Sequence, residues 1–374
     1  MLTVWYNKEL VGKLYPVEQG NVVFQYAASW LANAGSISIS LSLPLVAEAF
    51  SADLSTAFFD NLLPEECLRE AVARERGLES SATYALLEAL GAECAGAFVI
   101  LPAHETPVEA PYSYTPLSQE ALTRYIAQLP TQPLLGGQEE MRLSLAGAQS
   151  KGVVRIDAHM GFSLPQNGAP STHIIKPASI RFPNLPGNEV FCMGLAAHMG
   201  LEVPPFFLTS TLPQAFVVER YDRRIVGGSI ERLHQEDFCQ ALGLASRRKY
   251  QRGAGSATLP QCFALLSHCQ NPAGDVHKLL QWVIFNVCIG NSDAHAKNIS
   301  LLYDGKKPRL APFYDLVSTA PYDVSQKLAL KIGGKNDGDR LYHSEWRRFA
   351  ADISMEYSVL TNVGNGLVSC LRDS

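Results

Sequence analysis

The apolar residues change their spacing part-way along this chain, and that change limits what it can fold into. Before about residue 225 they come mostly in short runs and alternations of strand type. LTVWYN and LVGKLY flank Lys8-Glu9 in a hairpin pattern, VVFQY follows Gly20-Asn21, and SISISLSLPL alternates Ser with Ile or Leu. RLSLAGAQSKGVVRID spells strand, small-residue loop and strand, and THIIKP and QAFVVERYDRR are further apolar strands. Two helical patterns interrupt them. One runs from Thr56 to about Glu93, with Leu62, Leu63, Cys67 and Leu68 on one face, and is closed by the strand AFVILPA. The other is GNEVFCMGLAAHMGL, opening near Asn188. From Glu236 onward the pattern is mostly helical, through EDFCQALGL, LPQCFALLSHC, DVHKLLQWVIFNVCIG and SEWRRFAADISMEYSVL. The expectation is an α/β first half and a helical second half. The Pro-rich stretch PAHETPVEAPYSYTP reads as a connector and places a boundary near residue 110.

With 374 residues there is chain enough for two or three packed regions, and 47% hydrophobic with 18% charged residues is the balance of a globular protein. A net charge of −5 argues against broad electrostatic binding to nucleic acid, though not against a local basic patch or a DNA-bound partner. The eight cysteines include no C-x-x-C and are joined by no His pair at finger spacing. A zinc site is not expected, and the cysteines read as buried free thiols of a reducing compartment. The N-terminus MLTVWYNKELVGKLY lacks the basic and apolar regions of a signal peptide. The most apolar run, from Leu279, is too short to cross a bilayer. The expected place is cytoplasmic, with no membrane.

NSDAHAKN carries the chemistry. Asp293 and Asn298 stand five residues apart, and Asp315 follows in PFYD. One carboxylate to orient an attacking hydroxyl, an Asn that turns back to hold a metal, and a second Asp for metals on a triphosphate are what phosphoryl transfer needs. Protein kinases use this spacing, but the Asp-Phe-Gly form is absent, since Leu316 follows Asp315. The plainer reading is a helix N-cap at Ser292 or Asp293. Within the same loop, His295 is a candidate for orienting the backbone and Lys297 for touching a γ-phosphate.

Four other stretches invite a similar weighing. SLAGAQSK, Ser144 to Lys151, has small residues that let backbone approach phosphate, and a Lys to neutralise it; a hairpin turn explains it as well. Lys176 closes the apolar strand HIIK, with Glu189 as the natural ion-pair partner on the next helix; a surface lysine is the alternative. VERYD, with Glu219 and Tyr221, ends a strand where the helical half begins and can offer backbone groups to an adenine edge, or be a simple strand exit. SRRKYQR, Ser246 to Arg252, is either a solvated charged loop or a docking surface.

Taken together, LSLPL, FFDNLLPEE, GAFVILPA, SLAGAQSK, THIIKP, NEVFCMGLAAHMGL, VERYDRR, HQEDFCQALGL, NSDAHAKN and APFYDLVSTA resemble the HipA-type serine/threonine kinase toxins of bacterial type II toxin–antitoxin systems, from the N-terminus to about residue 335. The resemblance implies an α+β, two-lobed protein-kinase-like fold, with an extra N-terminal β-rich subdomain (1–110), an N-lobe with the phosphate-binding loop (111–225) and a mostly helical C-lobe (226–374). It implies ATP and Mg²⁺ between the lobes. Asp293 takes the catalytic place, and Asn298 and Asp315 are the metal ligands. Ala146, Gly147, Ala148, Gln149, Lys151, Lys176, His295 and Lys297 line the phosphates; Glu219, Tyr221 and Gln235 line the adenine and ribose end. Ser144 matches the serine that such kinases autophosphorylate, which in the family silences the enzyme. The Gly-Gly-Pro run of some members is missing around the basic loop.

Three functions follow as expectations. The first is a toxin kinase that arrests growth by phosphorylating a protein substrate, for which the resemblance points to an aminoacyl-tRNA synthetase such as glutamyl-tRNA synthetase. The second is a co-repressor that binds a helix-turn-helix antitoxin of the HipB type and reaches operator DNA only through it. The third is a small-molecule kinase.

Overall fold

Strand-forming residues of the first half collect into two antiparallel sheets. The computed structural model describes residues 1–107, 111–131 and 149–372, which fall into two compact units: Met1–Pro186 with Phe206–Glu236, and Gly187–Pro205 with Asp237–Ser374. The boundary expected near residue 110 falls inside the first of these units.

In the first unit, one sheet has the order Val22–Tyr26, Glu9–Pro16, Leu2–Tyr6, Phe98–Pro102. The expected hairpin pairs Tyr6 with Glu9 across Asn7-Lys8, with Asn7 in the left-handed region at φ 54°. Gly12 is needed where two strands meet, because a Cβ there would collide with the Gln25 carbonyl and the Phe24 ring. The second sheet has the order Tyr114–Pro116, Phe162–Pro165, Gly152–Ile156, His173–Pro177, Ala215–Glu219, Phe206–Leu208. Strand side chains from both sheets, among them Leu2, Val4, Phe24, Val153, Ile175 and Val217, are buried in one apolar cluster with Phe58 and Phe59 of the helix Ala52–Asp60.

Two expectations fail here. SISISLSLPL is not a strand: within residues 36–45 there is only an isolated bridge between Ser40 and Leu43. Side chains capture its backbone instead. The Tyr26 hydroxyl accepts from Ile39 N and donates to the Leu43 carbonyl, Glu236 Oε1 accepts from Leu41 N, and the His234 ring bonds the Ile39 carbonyl. The helical pattern from Thr56 to Glu93 is three helices, Ala52–Asp60, Glu66–Glu75 and Thr83–Leu90. Leu62 and Leu63 sit in the turn before Pro64, which cannot continue a helix, rather than on one face with Leu68.

Four charged side chains, Glu93, Arg220, Asp222 and Arg223, are buried together in the first unit, with Arg232 half-buried beside them. Glu93 accepts from Arg220, Arg223 and Arg232 and from Ser171, while Asp222 accepts from Arg220 and from Gly96 N. Burial alone would raise the Glu93 carboxyl. Arg232, Arg223 and Arg220 outweigh it and hold the group down at about 2.

The second unit is built round the helix Pro272–Cys288, whose Trp282 and Phe285 are buried and which packs against Tyr357–Arg372. Asn271 caps it, with Pro272 at the first helical position. The pattern SEWRRFAADISMEYSVL is broken in two, His343–Asp352 and Tyr357–Arg372, at Ser354 with φ 55°. Strands also occur in this half, Ser300–Tyr303 beside Arg309–Leu310 and Lys327–Ile332 beside Lys335–Asp337. The fold is α+β, and no helix among the described residues is long and apolar enough to cross a membrane.

Candidate active site

The helix Pro272–Cys288 delivers NSDAHAKN by the way it stops. Gly290 adopts φ 64°, Asn291 N reaches back to the Asn286 carbonyl (2.9 Å) and Gly290 N to that of Val287 (3.1 Å). This is a Schellman stop, for which glycine is the residue with no steric cost. The Asn286 side-chain oxygen accepts from Asn291 Nδ2 at 2.7 Å, and Asn291 Oδ1 accepts from Asp293 N at 3.0 Å. The end of the helix therefore sets the backbone of Asp293.

Asn298 closes the loop from its far side. Its Nδ2 donates to the Asp293 carbonyl (3.1 Å), and its backbone N donates to the His295 carbonyl (2.9 Å). This is the turn-back that the five-residue spacing predicts. The alternative of an N-cap is not seen, because the short 3₁₀ turn Ala296–Asn298 starts after His295 and has no side-chain cap. Asp293 is exposed, whereas His295 to Asn298 are buried.

Lys297 turns inward. Its Nζ lies 2.8 Å from Asp237 Oδ2, and both side chains are buried. Asp237 is also the N-cap of the helix Phe238–Ala241, in a capping box with Gln240. One carboxylate thus joins the helix start to the loop, and Phe238 N adds a bond to the Ile299 carbonyl at 3.0 Å.

The PFYD segment is tied to the same loop. The Tyr314 hydroxyl donates to the Lys297 carbonyl at 2.7 Å and lies 2.7 Å from Ser300 Oγ. Asp315 has φ 59°, a left-handed conformation that Asp tolerates better than most residues. Beyond it, Asn188 grips the chain by accepting from Ser318 N (2.9 Å) and donating to its carbonyl (2.9 Å), and Thr319 bonds Ser292 and Gly290.

Comparisons with known proteins agree along nearly the whole length. Residues 2–101 match the model of the HipA N-terminal domain, and residues 143–370 match that of the HipA-like C-terminal domain. The chain belongs to the HipA family. The Sinorhizobium fredii protein Y4mE is 44% identical over 364 residues, covering 95% of this chain and 86% of that protein. The serine/threonine-protein kinase toxin HipA of Shewanella oneidensis is 29% identical, covering 94% and 83%. The solved HipA from Shewanella oneidensis, in complex with HipB and its operator DNA, superposes with a TM-score of 0.83 at 25% identity, covering all of this chain and 91% of that one.

The remaining residues singled out on HipA resemblance lie as follows. Lys176 is buried on His173–Pro177 with its Nζ 5.6 Å from the Phe216 ring centroid, and Lys151 is buried just before Gly152–Ile156. Glu219 is exposed at the end of its strand, and the Tyr221 hydroxyl donates to the Gln235 side-chain oxygen. Glu189 is buried on the helix Leu185–His198, in the other compact unit from Lys176. Gln149 is half-buried, whereas Ser144, Ala146, Gly147 and Ala148 lie outside the described residues.

The donor set suits magnesium. Asn298 uses its amide NH₂ on Asp293, so oxygen is the side-chain atom with which it would meet a metal, and Asp315 would add a carboxylate. Hard oxygen donors, few in number, are how Mg²⁺ is held on phosphates.

Two residues in contact with this loop were not singled out from the sequence. Asp237 was signalled by DFCQ, an Asp with Gln three residues later, which spells the capping box. Tyr250 was hidden in the charge run SRRKYQR, and its hydroxyl donates to Asp293 Oδ1 at 2.7 Å.

Proposed function

We propose that the chain is an ATP-dependent protein serine/threonine kinase acting as a growth-arresting toxin. The observation that carries this reading is the closed loop, in which Asn298 bonds the Asp293 backbone and leaves the Asp293 side chain exposed. In this reading Asp293 orients or deprotonates the hydroxyl of a protein substrate for in-line transfer. Asn298 and Asp315 hold Mg²⁺, which when bound neutralises charge on the phosphate oxygens. Lys176 serves the α-phosphate. Lys151, with the Ala146–Gln149 stretch, serves the outer phosphates. Glu219, Tyr221 and Gln235 serve the adenine and ribose end. Lys297 acts first through Asp237, which fixes the loop, and His295 packs inside it.

Self-modification at Ser144 would place a dianion in the loop that meets the phosphates, and repulsion there silences the enzyme. An aminoacyl-tRNA synthetase such as glutamyl-tRNA synthetase is the target class that the family suggests. A HipB-type helix-turn-helix antitoxin is the partner, supported by the solved relative in complex with HipB and operator DNA. A net charge of −5 fits DNA reached through that partner. A co-repressor role on DNA is compatible with kinase activity, and Asp293→Gln separates the two because it should remove transfer and spare repression.

The test is intact-mass spectrometry after incubation with Mg-ATP. Wild type should gain one phosphate at Ser144, and Asp293→Gln should gain none. No gain in either, from unphosphorylated protein shown to bind ATP, would sink self-phosphorylation. Label recovered only in small molecules would replace the protein-kinase reading by that of a small-molecule kinase.

A further inference from the structure

The segment Ser246–Arg252 leaves Arg247, Arg248 and Arg252 exposed, as a solvated charged loop would, but it is not a loose one. Its backbone is pinned on two sides within the second unit. Ala296 N donates to the Lys249 carbonyl (3.4 Å), Gln251 N donates to the Ala329 carbonyl (2.8 Å), and the Gln251 side-chain oxygen accepts from Lys331 N (2.8 Å). Between these anchors stands Tyr250. Its ring meets His295 edge-on at 5.1 Å, Arg252 lies over it at 4.6 Å and Lys249 at 5.2 Å. The hydroxyl of this clamped ring donates to Asp293 Oδ1 at 2.7 Å.

We infer that Tyr250 is a positioning residue for phosphoryl transfer, holding the exposed Asp293 carboxylate through Oδ1 in the rotamer that meets the substrate hydroxyl. The inference rests on the reading of Asp293 as the residue that handles that hydroxyl. An exposed carboxylate samples several rotamers, and only one can be aimed at a reacting group. The backbone of Asp293 is fixed by Asn291 and Asn298, and side-chain contacts bear on χ1 and χ2. A phenol on a packed ring restrains them with a charge-assisted bond. The bond does not block the chemistry, because a carboxylate has about four lone-pair sites and Tyr250 uses one. The basic residues of the segment act on the ring that holds the carboxylate: Arg252 and Lys249 lie over it.

Tyr250→Phe removes the hydroxyl and keeps the ring against His295. With wild-type activity established as the reference, kcat should fall about 10- to 100-fold, the cost of a charge-assisted bond at the reacting centre. KM for ATP should stay within about twofold, since ground-state ATP binding is not what the bond serves. A kcat equal to wild type overturns the inference. So does a loss of kcat matched by a rise in KM for ATP, or phosphate found on Tyr250 itself, which would make it an acceptor. If wild type and Tyr250→Phe both bind ATP and neither transfers phosphate, the kinase reading is what has failed. The contact is then judged by a Tyr250→Phe, Asp293→Asn double-mutant cycle in denaturant melts: additive effects overturn the holding role and non-additive effects uphold it.

Discussion

Two groups of charged side chains in this molecule use the same chemistry to opposite ends. In the first unit, Glu93 and Asp222 are sealed against Arg220, Arg223 and Arg232, and all five act on one another. In the second, Lys297 and Asp237 are buried in the same way, but they hold up a loop whose Asp293 is exposed. The buried cluster joins the segment Glu93–Gly96 to the chain at 220–232. The loop is the reverse: its Lys297–Asp237 pair is buried, and the Asp293 carboxylate, proposed above as the group that meets substrate, is exposed. In these two groups, then, buried charge holds backbone in place, and the proposed site is set apart by a carboxylate left in water on a backbone fixed from both ends.

Asp293→Gln is expected to give the widest separation. Phosphate transfer should drop about 10²- to 10⁴-fold, the usual contribution of a positioned acid–base group, with the melting temperature essentially in place. A large fall in melting temperature would erase the distinction. Glu93→Ala should do the opposite and destabilise by about 4–5 kcal/mol, because three guanidinium groups lose a shared partner in the interior. Denaturant melts read this directly. Lys297→Met should cost about 3 kcal/mol, since Asp237 keeps its capping bonds but loses its cation. Activity lost in that variant beyond what its unfolded fraction explains would show the loop slackening around Asp293.

The pH response sharpens the contrast on a smaller scale. Burial pushes His173 down to about 4. It also pushes His234 down to about 3, against the bond to the Ile39 carbonyl. Unfolded histidine takes its proton near 6.5, so from pH 6.5 downward the unfolded chain binds more protons than the folded one. Stability then falls by about 1.4 kcal/mol per pH unit for each such proton. Below about 4.5 Glu93 adds to the loss until its folded value of about 2, and Asp222 acts in the same direction. Urea midpoints measured at pH 7.5, 5.5 and 4 should decline in that order; a flat series would mean that these groups are not sealed.

What the sequence revealed depended on how local the physics was. The hairpin at residues 2–16, the strands ending in Lys176 and Glu219, and the turn from Asp293 to Asn298 follow from neighbours a few residues apart, and all were legible. The hairpin Arg223–Val226 with Ser229–Arg232 was legible and overlooked: Gly227 and Gly228, at φ 57° and 83°, are a primed-turn pair. SISISLSLPL misled because its period is that of a strand while the groups that decide its shape are far away in the chain. Tyr250 misled in another way, since a tyrosine among four basic residues is dominated by their charge until the structure shows where its hydroxyl points.

The capture of Ile39 to Leu41 by His234 and Glu236 bears on how the protein comes to be made. Ser40 and Glu236 are 196 residues apart, as the chain runs, and Gly96 and Asp222 are 126 apart. A ribosome that has finished the first hundred residues has made a segment, Ile39 to Leu41, that still lacks its distant partners. Those bonds can form only when residue 236 has emerged, one residue before Asp237 and before Asp293 is synthesised. The order of translation thus completes the first unit before the carboxylate proposed for phosphate transfer exists.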